Sequence, residues 1–221
     1  MIKLVAFDWN GTLLADTFTV EYADNVILAK FGLPKITKKR FQETFDIPIS
    51  KYWEALGFSS SLYQRHHQEI AAMFTKLYEP LAERCRTRAG AKAALYWLTK
   101  NKIKTVIYSN HTVSGIRRQL KRLKISNFLE EVLARLDGDN SHMHQRGKAE
   151  KLHNYLRQRG IKPKEVVSVG DTEEEIQIGQ HHGYHTVALT GGYNTMTRLK
   201  RQRPDFLIHN LTELKNIIRQ L

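Results

Sequence analysis

The chain has 221 residues, 41% of them hydrophobic, enough to bury a full core in one domain with a smaller insertion. No apolar run reaches the ~18 residues a membrane-spanning helix needs, and the single cysteine, Cys85, excludes an internal disulfide and suits an inert thiol in a reducing cytoplasm. A net charge of +13 attracts anionic, phosphate-bearing molecules.

Residues 2–7 predict a buried strand that delivers Asp8 at its carboxyl end. The opening does not read as a signal peptide, because that carboxylate interrupts any hydrophobic region. Gly11-Thr12 forms a turn before Leu13-Leu14. From about Thr17 to Arg84 the pattern is helical with no strong strand. Tyr22, Val26, Ala29 and Lys30 mark one amphipathic helix that stops near Gly32-Leu33-Pro34. Pro48, Gly57 and Ser59-Ser60-Ser61 punctuate further helices, the last running from about Ser61 to Pro80.

After Gly90 helices and strands alternate: helix 90–101, strand 103–108, helix 112–123, strand 131–135, helix 147–159, strand 165–169, helix 173–182 and strand 185–189. Strand 205–208 and helix 211–220 follow, with Asn210 as N-cap and Glu213 at the capping-box position. This alternation predicts an α/β fold built on a doubly wound parallel sheet. The sheet core is then 1–16 and 85–221, with a helical block at 17–84 inserted after the first strand.

The charge concentrates at Lys38-Lys39-Arg40 and in runs 117–124 and 198–203. In the second run Ile116, Leu120 and Leu123 recur at helical spacing, which puts the cations on a solvated face. No recognition motif accompanies the charge, so it does not by itself indicate a nucleic-acid partner. The histidines at 66, 67, 142, 144, 181, 182 and 185 show neither a zinc-site spacing nor a His-Glu-x-x-His pattern.

Open parallel sheets bind ligands outside the carboxyl ends of their strands. Asp8 is in such a place, where a carboxylate serves either as a nucleophile or as a simple turn-forming cap. Ser109-Asn110 follows strand 103–108, Lys148 opens the helix at 147–159, and Gly170-Asp171-Thr172-Glu173-Glu174-Glu175 follows strand 165–169. Lys151 and Arg146 rival Lys148. Ser109 can equally be a helix cap, and Glu173, Glu174 and Glu175 suit a helix N-terminus through its dipole.

Asp8-Trp9-Asn10-Gly11-Thr12 resembles motif I of the haloacid dehalogenase superfamily, Asp-x-Asp-x-Thr/Val. The three later stretches resemble motifs II, III and IV in order. Gly191-Gly192-Tyr193-Asn194 with Pro204-Asp205 resembles a segment of phosphoglycolate-phosphatase-like members, where it reads as a turn and a final strand. The resemblance implies a Rossmann-like core whose helical cap follows motif I, with Mg²⁺ as cofactor and a small phosphorylated metabolite as substrate. Asp8 is then the nucleophile that forms an aspartyl phosphate, while Thr12, Ser109, Asn110 and Lys148 hold the phosphoryl group. Asp8, the Asn10 main-chain oxygen and Asp171 bind the metal, with Glu175 acting from a second layer or through water.

Asn10 departs from the family pattern, which has a general acid–base Asp there. An amide hydrogen-bonds but does not exchange a proton at useful pH, and that exchange is typically worth about 10²–10⁴-fold. Three readings follow: a slow or narrowly specific phosphatase, a catalytically weak or inactive phosphate-binding or regulatory protein, and a nucleic-acid-associated protein using the basic field. Asn10-Gly11 is also open to deamidation, and Asn10→Asp is expected to gain about 10²-fold in rate if proton transfer limits the step.

Overall fold

A computed structural model describes residues 1–139 and 147–221; His142, His144 and Arg146 fall outside them. β1 (Leu4–Phe7) is buried along its whole length at the centre of a six-stranded sheet. Its unbroken apolar run is what a strand covered by helices on both faces requires. Val5 and Phe7 pack beneath α5 (Ala91–Lys100), α6 (Val113–Leu123) and α10 (Leu214–Gln220). Leu4 and Ala6 point the other way, toward α7 (Lys148–Gln158) and α8 (Glu173–His182).

β2 (Lys104–Thr112) and β3 (Glu131–Arg135) extend one side of β1, and β4 (Val166–Gly170), β5 (His185–Leu189) and β6 (Phe206–Ile208) the other. All pairings are parallel. The chain order turns back between β1 and β4, the switch point where doubly wound sheets open a ligand crevice. Phe7 aligns with Ile107 of β2 and Val169 of β4, so β1 and β4 end at one level while β2 runs on through Ser109 and Asn110 to Thr112.

The predicted strands and helices of the core are all present, and Ile116, Leu120 and Leu123 form the buried face of α6. The last helix opens with a 3₁₀ turn at Leu211–Glu213, closed by the expected Asn210–Glu213 capping box. α9 (Met196–Arg201) was not expected; it buries only Leu199, and its cations hide the helical pattern.

Between β1 and β2 stand α1 (Thr17–Lys30), α2 (Lys38–Thr44), α3 (Ile49–Ala55) and α4 (Ser60–Ala82). They share an apolar cluster of their own, to which the core contributes Tyr193. The chain segments on either side of the block pair with each other, the Ala15 amide donating to the Arg86 carbonyl at 2.9 Å. α1 corrects the expected helix. It starts at Thr17 and buries Val20, Ala23, Asp24 and Ile27, whereas Tyr22 and Ala29 face solvent. Among the described residues no helix is long and apolar enough to cross a membrane.

Candidate active site

Asp8 emerges from β1 held by its amide, which donates to the Val169 carbonyl at 2.9 Å. Lys148, the first residue of α7, brings its ammonium 3.3 Å from Asp8 Oδ1 and 3.1 Å from Glu174 Oε2, and it also contacts Glu175 Oε1. Asp171 follows β4. Its Oδ2 accepts from the Tyr193 amide at 2.6 Å and its Oδ1 from the Thr12 hydroxyl at 2.5 Å. A Cβ at Gly11 or Gly192 would stand 2.2 or 2.0 Å from Asp171 Oδ2, so two bare backbones enclose this carboxylate.

The charges do not balance. Asp8, Glu174 and Glu175 are buried against the one ammonium of Lys148, and Asp171 is buried beside Asp8. Burial drives the Asp8 carboxyl well above its usual range; Glu175 and Asp171 add to the rise and Lys148 opposes it. Asp171 is pushed up to about 7, by burial first and by Glu175 second. Burial would lower Lys148, but the surrounding carboxylates outweigh it and hold the ammonium well above the ordinary lysine range.

An excess of buried oxygen-borne negative charge is the environment a hard divalent cation neutralises. Glu174 Oε1 belongs to that excess, buried with no hydrogen-bond partner among the described residues. Asp8, Asp171 and the Asn10 carbonyl therefore fit Mg²⁺ by donor chemistry. No three His, Cys, Asp or Glu side chains among the described residues form a complete set alone. Mg²⁺ does not need one, since it usually keeps several waters.

Glu175 fills both roles weighed for it. Its Oε2 accepts from the Thr172 amide and hydroxyl at 2.9 and 2.5 Å, capping α8, while its other oxygen faces Lys148. Ser109 is buried and accepts from the His111 amide at 3.2 Å. It does not cap α6, because Thr112 does, accepting from the Gly115 amide. Asn110 donates to Glu174 Oε2 at 2.8 Å. Lys151 is elsewhere, donating to the Ala134 carbonyl at 2.8 Å.

Asn10 turns its amide away from Asp8's partners and into a second polar knot. Its Nδ2 donates to Asp16 Oδ2 and to the Tyr78 hydroxyl, both at 2.7 Å. Asp16 also accepts from the Tyr78 and Tyr193 hydroxyls at 2.7 and 2.8 Å and from the Gly11 amide at 2.8 Å. That last bond occupies the nitrogen that would have to attack the Asn10 side chain, so the fold opposes the deamidation its sequence invites. Arg88 fastens the same loop, donating to the Gly11 carbonyl at 2.7 Å and the Thr190 carbonyl at 2.6 Å.

Over these residues lies a cavity of about 470 Å³. Asp8, Asn10, Ser109 and Lys148 line its lower end, and α1, α3 and α4 supply Val20, Asp24, Tyr52, Trp53, Ile70 and Phe74 at the other. Asp24 is buried, and the Tyr52 hydroxyl donates to its Oδ2 at 2.5 Å. Burial pushes its carboxyl up to about 7, against the lowering effect of the Tyr52 bond. His111 also lines the cavity; burial, then Arg135 and Arg118, push its imidazole down to about 4.

The sequence expectations did not include Asp16, Asp24, Tyr78, Arg88 or Tyr193 as site residues. Gly191-Gly192-Tyr193-Asn194 is more than the turn it was expected to be, because it grips Asp171, touches Asp16 and joins the helical cluster. The two glycines before an aromatic were the available signal.

The sequence profile of a family described as haloacid dehalogenase-like hydrolase matches residues 5–189. A phosphoglycolate phosphatase of Photorhabdus laumondii is 27% identical over 225 residues, covering 98% of this chain and 92% of that protein. A pyrophosphatase of Bacillus cereus is 24% identical over 226 residues, covering 98% and 96%. The structure superposes on that of a haloacid dehalogenase-like hydrolase from Streptococcus pneumoniae with a TM-score of 0.82 at 19% identity, each chain covered to 98%.

Proposed function

The chain belongs to the haloacid dehalogenase-like hydrolase family, and we propose that it hydrolyses small phosphomonoesters by way of an aspartyl phosphate on Asp8, with Mg²⁺ as cofactor. The observation that carries this reading is the juxtaposition of Asp8, Lys148 and Asp171 at neighbouring strand and helix ends beneath a cavity. Relatives that match nearly the whole chain are phosphatases acting on phosphoglycolate and pyrophosphate, which supports the same reaction class.

Asp8 Oδ attacks phosphorus, the bond from phosphorus to the ester oxygen breaks, and the alkoxide leaves, taking its proton from water. Water then attacks the phosphoryl group, releases phosphate and restores the Asp8 carboxylate. Lys148 neutralises charge between nucleophile and phosphoryl group, and the Ser109 hydroxyl and Asn110 hold phosphoryl oxygens. Bound Mg²⁺ supplies Lewis-acid charge neutralisation. Asp8, the Asn10 carbonyl and Asp171 would hold it, with Glu175 supporting through Lys148. Glu174, unexpected from the sequence, joins this set by fixing Lys148 and Asn110.

Asn10 cannot protonate the leaving alcohol, and its amide protons are engaged by Asp16 and Tyr78. The enzyme is therefore slow on alkyl phosphates and faster on good leaving groups. The helical block at 17–84 serves as a cap, hinged at the paired segments near 15–17 and 82–88, that excludes water during the transfer. Phosphate release from an aryl phosphate, with Mg²⁺ and with chelator, tests this reading, together with mass spectrometric detection of a phosphorylated Asp8 peptide. Mg²⁺-dependent turnover that survives Asp8→Asn would overturn it.

A further inference from the structure

Phosphoglycolate and pyrophosphate, on which sequence relatives act, are anionic at both ends. The cavity of this chain is built otherwise. Three cations line it among the described residues: Lys148, Arg118 and Arg135, all from the sheet core. Each is already engaged. Lys148 is paired with three carboxylates. Arg118 reaches Glu79 at 2.5 Å and Glu83 at 3.1 Å, and Arg135 donates to the Asn110 carbonyl.

The wall formed by α1, α3 and the middle of α4 carries no Lys, Arg or His on the cavity. It presents Val20, Tyr52, Trp53, Ile70 and Phe74, and one ionisable acid among them, Asp24. Tyr52 satisfies Asp24 Oδ2, and among the described residues none donates to Oδ1. A carboxylate or second phosphate pushed against this wall would lose its hydration, meet no cation and, once Asp24 ionises, face a like charge. An apolar or aromatic group would exchange water for a surface of its own kind.

We infer that the substrate is the phosphomonoester of an alcohol with an apolar or aromatic body that ends in a hydrogen-bond donor, a hydroxyl or an ammonium, reaching Asp24. This rests on the phosphatase reading above and narrows it to a substrate class. The volume agrees, since about 470 Å³ falls within the ~300–1,000 Å³ typical of pockets that hold organic ligands. Asp24 is a specificity residue here, and Asp8 at the opposite end takes the phosphoryl group.

The test uses the full chain with Mg²⁺ and four phosphates: benzyl phosphate, its 4-aminomethyl and 4-carboxy derivatives, and 2-phosphoglycolate. The expected kcat/KM order is aminomethyl, then benzyl, then carboxybenzyl, each step about 10-fold, with phosphoglycolate below benzyl phosphate. Asp24→Asn, which keeps an acceptor for Tyr52, should bring the aminomethyl-to-benzyl ratio close to one. A phosphoglycolate or carboxybenzyl rate at or above that of benzyl phosphate overturns the inference and leaves the phosphatase reading standing. Absence of turnover on all four and on an aryl phosphate with Mg²⁺ overturns the phosphatase reading instead. Calorimetric binding of the corresponding benzylphosphonates then judges the cavity alone, and the same charge order is required.

Discussion

The two ends of the cavity handle buried charge in opposite ways. At the strand ends three carboxylates converge on one lysine, and a fourth, Asp171, is held beside them by the Thr12 hydroxyl and the Tyr193 amide. On the cap wall a single carboxylate, Asp24, sits among aromatic rings with one hydroxyl as donor. The first arrangement is overdetermined and suited to a fixed phosphoryl group and a cation. The second is sparse and leaves one acceptor to be completed by whatever enters.

The largest effect expected is at the strand ends. Asp8→Asn removes the proposed nucleophile, and phosphate release should fall by about 10⁴-fold or more, with no phosphorylated peptide detected. Fold and binding should survive, since Asn fills the same space and lacks the charge that burial penalises there. Lys148→Met should come next. It leaves Asp8, Glu174 and Glu175 buried together without a cation, which should cost about 3–5 kcal/mol and lower Tm by roughly 10 °C. A thermal melt within 2–3 °C of the parent (about 1 kcal/mol at this size) would show that the ion cluster is not structural.

Asn10 sharpens the comparison, because it ties the loop after β1 to Asp16 and to Tyr78 of α4. An Asp at position 10 would set a carboxylate against Asp16 where an amide now donates at 2.7 Å. The rate gain expected from sequence is therefore not expected of Asn10→Asp alone. That variant should lose about 1–3 kcal/mol at neutral pH. Asn10→Asp combined with Asp16→Asn restores a donor–acceptor pair with the roles exchanged. The double variant should recover its Tm and gain about 10²-fold on alkyl phosphates. A single variant that is both faster and as stable would mean that Asp16 already carries a proton.

Much of this was legible in the chain. The strands from Lys104 onward read correctly because parallel strands between helices of about ten residues leave a regular alternation, and Asp8, Lys148 and Asp171 were found by their places at element ends. The helical block was legible as helix but not as a wall. In α1 the apolar residues Tyr22 and Val26 compete with Val20 and Ile27 for the inner face, and Asp24 hides the correct phase, since a carboxylate argues for solvent. Its burial depends on Tyr52, 28 positions away. Asp16 was invisible for the same reason: its donors come from positions 10, 11, 78 and 193. Local pattern carries no trace of such distant partners.

The last effect concerns Asp24 and bears on stability alone. In the unfolded chain this carboxyl ionises near 4; in the fold burial moves it up to about 7, with Glu21 adding repulsion and Tyr52 opposing the rise. The folded state therefore binds the extra proton between these values. Stability should be greatest below about pH 4 as far as this group is concerned, and should fall as pH rises toward 7, with a slope of at most about 1.4 kcal/mol per pH unit. Above pH 7 both states are ionised and the loss is complete. Asp24→Asn removes the titration while keeping the acceptor for Tyr52, so its Tm should exceed the parent's at pH 8 and converge with it near pH 4. Other buried carboxylates titrate over the same range, and the difference between the two proteins isolates this one. Parallel Tm curves from pH 4 to 8 would mean that Asp24 is already ionised at low pH in the fold, compensated by something other than Tyr52.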